Sequence, residues 1–301
     1  MDSISEKILK LKKEKDAVIL AHYYQELEVQ KVADYVGDSF GLAKMAMETD
    51  QEMIVFCGVH FMAESAKILN PTKKVLLPVK HAGCPMADMV TREDVIRLKK
   101  ENPDAAAVCY VNSSAEVKAE CQISCTSSNA VQVVASLPNK QIIFVPDENL
   151  AHFVAEKLPD KEFVPFTGYC PTHHKVSYEE VIKCKEEYPG APVLVHPECK
   201  SEVVALSDFA GSTKQIIDYA LNSDKKEFII GTEKGVIDYL KDKDPSKKYH
   251  LMSHRLICVN MKKTRLENVL DVLENETNEI QMSDEEIKES YSCLANMMKI
   301  S

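Results

Sequence analysis

Three cysteines, Cys84, Cys170 and Cys258, follow one another at intervals of 86 and 88 residues, and each closes one copy of a threefold internal repeat. A repeat of about 85 residues is a small unit, marginal alone, so three copies are expected to share interfaces and build one core. A side chain donated once per copy can converge with its counterparts on a pseudo-threefold axis. Three thiolates meeting at one point form a bed for a metal cluster.

Other landmarks recur in the same order in each third. An apolar run ends in a polar residue at Val18–His22, Val108–Asn112 and Val193–His196. A small-hydroxyl turn follows, with Ser39, Ser127 and Ser212 spaced 88 and 85 residues apart. A second apolar run comes next, at Ile54–Phe56, Ile142–Phe144 and Phe228–Ile230, and His60-Phe-Met-Ala-Glu64 is echoed by His152-Phe-Val-Ala-Glu156. The repeats are therefore read as residues 1–86, 87–172 and 173–258, with the tail 259–301 packing back on the first.

Strands are expected at 17–21, 53–56, 74–77, 106–111, 141–145, 162–165, 192–195 and 226–230, where short runs are rich in Val and Ile. Helical spacing fills 28–36, 59–69, 91–101, 128–136, 147–157, 178–188, 212–221 and 234–241, and the tail reads as two helices around a short strand near Glu279. Apolar strands alternating with helices imply parallel sheets with right-handed crossovers, hence an α/β fold of three αβα layers of Rossmann type around a central site. No Gly- or Ser-rich linker separates the repeats.

The 301 residues carry 37 basic and 47 acidic side chains, a net charge of −10, which opposes binding to nucleic acid or to an anionic membrane surface. The first residues are charged at helical spacing, unlike a signal or transit peptide, and a cytoplasmic location is expected. In a reducing compartment the ten cysteines are not read as disulfides. Cys57, Cys109, Cys184, Cys199 and Cys293 lie in or beside apolar stretches and read as small buried hydrophobes, and Cys121 with Cys125 has no matching pair. Cys84 and Cys170 differ because proline follows each, favouring an extended backbone that holds a thiolate out on a loop.

In open α/β units ligands collect at the carboxyl ends of strands, which is where His22, Asn112 and His196 fall. Ser39, Ser127 and Ser212-Thr213 stand where helices are expected to begin, so their N–H groups and dipoles would attract a small polyanion. His22 is followed by Tyr23 and Tyr24, His196 opens His196-Pro197-Glu198, and Tyr110 shares a strand face with Asn112; these groups suit general acid–base chemistry. His60, His81, His152, His174, His250 and His254 lack such support. Three cysteines would satisfy three irons of a [4Fe–4S] cluster, and the open fourth iron would act as a Lewis acid in dehydration or condensation. The rival readings are an iron–sulfur or zinc sensor and a cluster-free transferase.

Taken together, Ala21-His-Tyr-Tyr-Gln25, Gly37-Asp-Ser39, Gly58–Glu64, Tyr110–Ser113, Thr126–Ala130, His196–Cys199, Gly211–Thr213 and Cys258–Lys263 resemble the quinolinate synthase family, over residues 17 to 275. The resemblance implies three αβα domains in pseudo-threefold array and condensation of iminoaspartate with dihydroxyacetone phosphate to quinolinate, phosphate and water in de novo NAD biosynthesis. It also implies functional coupling to an enzyme that produces iminoaspartate. By the same resemblance Cys84, Cys170 and Cys258 match the ligands of one [4Fe–4S] cluster. His22, Ser39, Tyr110, Asn112, Ser127, His173, His196, Glu198 and Thr213 match substrate-contacting positions, and Tyr24, Tyr110, His196 and Glu198 match catalytic ones. Some members carry the third ligand in a Cys-x-x-Cys-x-x-Cys run. Cys258 stands without neighbouring thiols, so the chain resembles the shorter form.

Overall fold

Each third of the chain folds its apolar runs into a four-stranded parallel sheet. The computed structural model describes residues 3–300. The first sheet comprises β1 (Ala17–His22), β2 (Tyr35–Gly37), β3 (Met53–Cys57) and β4 (Lys74–Leu76). The second contains β5 (Ala106–Tyr110), β6 (Ile123–Cys125), β7 (Gln141–Val145) and β8 (Glu162–Val164), and the third β9 (Val193–Val195), β10 (Phe209–Ala210), β11 (Glu227–Gly231) and β12 (Lys248–Leu251). In all three the second strand lies at one edge beside the first, and the third and fourth follow on the other side.

The alternation of side chains along each central strand explains how the sheets pack. Val18 and Leu20, Val108 and Tyr110, and Leu194 face one continuous core shared by the three sheets. Their alternates face outward into three separate clusters: Ile19 and Ala21, Ala107 and Cys109, and Val193 and Val195. Because both faces are covered, the central strands are apolar throughout, as parallel strands between helices must be.

Four short strands, at 35–37, 123–125, 209–210 and 248–251, are additional to those expected from the sequence. The first three are edge strands of two or three residues, too short to carry a period, and they are pinned by a recurring side-chain clamp. Asp34 donates its N–H to the Ile19 carbonyl at 2.9 Å and accepts the Ile19 N–H on its carboxylate at 2.9 Å. Gln122 does the same with Ala107 through its amide oxygen, and Asp208 with Val193 through its carboxylate. The helix expected over 28–36 consequently ends at Val32. The helix expected to begin at Ser39 runs Ser39–Glu48, and helices Ala115–Glu120 and Ser201–Val204 are further additions.

The tail forms helices Leu266–Asn275 and Asp284–Met298, with an isolated antiparallel bridge between Leu76 and Glu279. Leu266, Val269, Val272 and Leu273 join Ile8 and Val55 on the outer face of the first sheet. The last helix crosses to the second sheet, where Cys293 joins Cys109. Among the described residues no helix is long and apolar enough to cross a membrane.

A lysine just before the last strand of each sheet caps the helix that precedes the third strand. Lys73 donates to the Thr49 carbonyl, Lys161 to those of Leu137 (2.5 Å) and Asn139 (2.7 Å), and Lys247 to those of Ala220, Leu221 and Ser223 at 2.8–2.9 Å. Helix C-termini leave carbonyls unpaired and carry partial negative charge, so a buried ammonium is favoured there. Lys247→Met keeps the aliphatic stem and strands three carbonyls. It should lower the unfolding free energy by about 1–3 kcal/mol in urea denaturation, and an unchanged midpoint would contradict this role.

Candidate active site

The strands of each sheet run in parallel, so their carboxyl ends share one edge, and the three edges meet around a single cavity of about 290 Å³. His22 ends β1, Tyr110 ends β5 and His196 directly follows β9. The cavity is lined by these residues and by Tyr24, Ser39, Asn112, Ser127, His173, Glu198 and Thr213, together with Cys84, Cys170 and Cys258. Every site residue singled out in the sequence is thus brought to one place. Of the adjacent histidines, His173 is buried in this cavity, whereas His174 stacks on Tyr169 outside it.

The hydroxyl turns differ in detail from expectation. Ser39 is the first residue of its helix, capped by Asp38, whose carboxylate accepts the Gly41 N–H. Thr213 begins the helix capped by Ser212. Ser127 lies in a loop, because its helix starts only at Ala130. Asp38, not marked from the sequence, also lines the cavity and accepts hydrogen bonds from Ser128 at 2.8 Å and Ser212 at 3.5 Å, joining all three thirds.

His22 and His196 are held by the same device. The Tyr24 N–H donates to His22 Nδ1 at 3.1 Å, and the Glu198 N–H donates to His196 Nδ1 at 3.3 Å. Each ring therefore carries its proton on Nε2 when neutral, and His196 Nε2 lies 3.1 Å from the Ser127 hydroxyl. Burial pushes His22 down to about 3 and His196 down to about 4. Both are uncharged donors at neutral pH. Asn112 Oδ1 is buried without a hydrogen-bond partner, an acceptor left open for a ligand donor.

A continuous buried hydrogen-bond chain crosses the site. Tyr24 OH lies 2.9 Å from both Thr213 Oγ1 and Thr232 Oγ1, and Thr232 Oγ1 lies 3.0 Å from His173 Nε2. His173 Nδ1 is 2.7 Å from Glu198 Oε2, and the Tyr110 hydroxyl donates to Glu198 Oε1 at 2.7 Å. Burial opposes ionisation of Glu198, but His196, His173 and these hydrogen bonds outweigh it and hold the carboxyl below its ordinary range. Burial and the Glu198 charge push both Tyr24 and Tyr110 well up, so both phenols keep their protons. A hydroxyl, an imidazole and a carboxylate in series can carry a proton between Tyr24 and Glu198. Thr232 was not among the residues singled out in the sequence. Its place just past the end of β11 was the available signal.

The three cysteines share one local design. The carbonyls of Cys84, Cys170 and Cys258 accept N–H groups four residues on, from Asp88, His174 and Lys262, so each cysteine opens a single helical turn. Backbone N–H groups of Met86 and Ala87, of His173, and of Asn260 and Met261 point at the respective sulfurs. Burial nonetheless raises all three thiols, Cys84 to about 12. Three soft donors on one cavity, supplied with N–H groups yet disfavoured as bare thiolates, fit a cationic iron–sulfur cluster that would stabilise the deprotonated form. Cys170, His173 and Glu198 also place their donor atoms within 4.8 Å of one another, a possible group for a metal ion.

The histidine geometry predicts that long-range proton–nitrogen spectra of the cluster-free chain at pH 6 will show both His22 and His196 as neutral, Nε2-protonated rings. Imidazolium signals from either would contradict the burial argument.

A family model described as quinolinate synthetase A protein matches residues 6–299. The chain is 51% identical over 301 residues to the quinolinate synthase of Caldicellulosiruptor saccharolyticus, covering 100% of this chain and 99% of that one. It is 50% identical over 293 residues to the quinolinate synthase of Clostridioides difficile and 54% identical over 293 residues to that of Alkaliphilus metalliredigens, covering 97% of this chain and 96% of the relative in both cases.

Proposed function

The chain belongs to the quinolinate synthase family and is an enzyme of that type, and on that premise we propose that it condenses iminoaspartate with dihydroxyacetone phosphate to quinolinate, phosphate and two waters in NAD biosynthesis. The observation that carries this reading is the convergence of one cysteine from each third with a buried acid–base chain in a single cavity.

In this reading the repeats 1–86, 87–172 and 173–258 each deliver one thiolate, Cys84, Cys170 and Cys258, to a [4Fe–4S] cluster. When bound there, the cluster supplies a Lewis acid, because three protein ligands leave one iron open. In the tail 259–301, the helix Leu266–Asn275 is read as completing the first unit, while the last helix lies against the second.

The remaining work falls to side chains already placed. Both substrates are anionic, and the first turns of the helices at Ser39 and Thr213 offer N–H groups to carboxylate or phosphate. The neutral Nε2–H of His22 suits a substrate oxygen without adding charge, and that of His196, 3.1 Å from the Ser127 hydroxyl, orients this hydroxyl toward one. Asn112 Oδ1, unpaired in the protein, suits the N–H of the imine nitrogen. Ring closure requires proton removal from carbon, proton delivery to departing oxygen and expulsion of water from the product side. Tyr24, protonated and hydrogen-bonded through Thr232 and His173 to ionised Glu198, can give a proton to a leaving oxygen and recover one through the same chain. Tyr110, donating to the other oxygen of Glu198, fixes that carboxylate and can deliver a second proton. The substrate imine hydrolyses readily, so coupling to an enzyme that produces it, in the cytoplasm, belongs to the same proposal.

An anaerobic assay for quinolinate from the two substrates tests the reading. The wild-type chain should form it, and Tyr24→Phe should lower turnover by roughly 10²–10⁴-fold with iron and sulfide content unchanged. No product from the wild-type chain with its metal loaded, or near-normal turnover by the variant, would overturn it.

A further inference from the structure

Two buried carboxylates that do not line the cavity, Asp147 and Glu233, occupy matching places in the second and third thirds. Each lies two residues past the third strand of its sheet, β7 ending at Val145 and β11 at Gly231. Each divides its oxygens in the same way. Asp147 accepts the Leu150 N–H of the following helix on Oδ1 at 2.7 Å and the Cys170 N–H on Oδ2 at 3.0 Å. Glu233 accepts the Gly235 N–H on Oε2 at 2.6 Å and the Cys258 N–H on Oε1 at 3.2 Å. In the first third the matching residue is Val59.

Capping a helix needs one oxygen, and an uncharged serine or asparagine does it well. Burying a carboxylate instead is costly unless both oxygens are hydrogen-bonded. Here the second oxygen is spent on the backbone of a ligand cysteine, in both thirds. Glu233 also faces Lys262 Nζ at 3.3 Å, and that ammonium donates to the Tyr24 carbonyl at 2.7 Å. The approach is close: a methyl group on Gly235 would lie 2.5 Å from the Tyr23 carbonyl oxygen and 2.9 Å from Tyr24 Cα.

We propose that Asp147 and Glu233 are positioning residues for the metal cluster: by accepting the backbone N–H groups of Cys170 and Cys258 they fix two of its three ligands ahead of iron binding. The inference rests on the reading that Cys84, Cys170 and Cys258 hold a [4Fe–4S] cluster. Partners behind the ligands of a metal site commonly govern affinity by 10–100-fold, and hydrogen bonding around a cluster helps set its potential. Asp147→Asn can still cap its helix through the amide oxygen, but it turns an NH₂ group on the Cys170 N–H. Glu233→Gln makes the same change at Cys258.

The test compares anaerobically reconstituted wild-type, Asp147→Asn and Glu233→Gln chains with Asp208→Asn. The last replaces a carboxylate that also accepts a backbone N–H, from Val193 at 2.8 Å on the edge strand clamp, where the Gln122 amide oxygen plays the same part in the second third. The first two variants should hold iron roughly 10–100-fold less tightly against a ferrous chelator, and their clusters should titrate at a shifted potential. Asp208→Asn should match wild type in both. Equal retention and equal potential in either folded variant would overturn the proposal, as would equal iron loss from Asp208→Asn. Should one variant fail to fold by circular dichroism, the other decides. A wild-type chain that takes up no cluster would instead overturn the functional reading on which the inference stands.

Discussion

Two buried carboxylates bind the three thirds of the chain at their common axis. Asp38, from the first third, accepts hydrogen bonds from Ser128 and Ser212 of the other two. Glu198, from the third, accepts the Tyr110 hydroxyl of the second and contacts His173 beside the second cysteine. Neither carboxylate can be buried at the axis until the other thirds supply its partners, because an unpartnered buried carboxylate costs far more than a satisfied one gains. Closing the fold and assembling the site are therefore the same event. The shared apolar core supplies the driving force, and the carboxylates select the arrangement in which strand ends face each other.

The symmetry is kept in the scaffold and abandoned in the chemistry. Asp34, Gln122 and Asp208 clamp the three edge strands, and Lys73, Lys161 and Lys247 cap three equivalent helices, both sets at spacings of 88 and 86 residues. At the strand ends, however, Asn112 stands where the other two thirds have His22 and His196, and Ser127 lies in a loop where Ser39 and Thr213 begin helices. Only the cysteine turns recur in both senses. Such a distribution suits a centre that must be held from three sides but must act on an unsymmetrical ligand.

Much of this was legible in the sequence because the repeat supplies three readings of every feature. The central strands, the cysteines and His22, Asn112 and His196 are each marked by position in the repeat. The edge strands at 35–37, 123–125 and 209–210 were not legible, since two or three residues carry no period and their pairing depends on single side chains such as Asp34. Thr232 escaped because its counterparts at the other strand ends are not threonines, and its role arises only when Tyr24 from the first third and His173 reach it. Asp147 and Glu233 read as ordinary polar residues after strands; their meaning lies in which N–H groups the fold delivers to them. Ser127 shows the converse, a residue placed at the cavity although the helix expected to begin there starts three residues later.

The central claim is that three thiolates, one per repeat, hold one iron–sulfur cluster in the shared cavity. Diffraction from anaerobically grown crystals, recorded on both sides of the iron absorption edge, tests it most directly. The account predicts anomalous density for a single four-iron cluster joined to Cys84, Cys170 and Cys258 and to no other protein side chain. Iron absent from the cavity, or bound through a set that omits one of those cysteines, would contradict it.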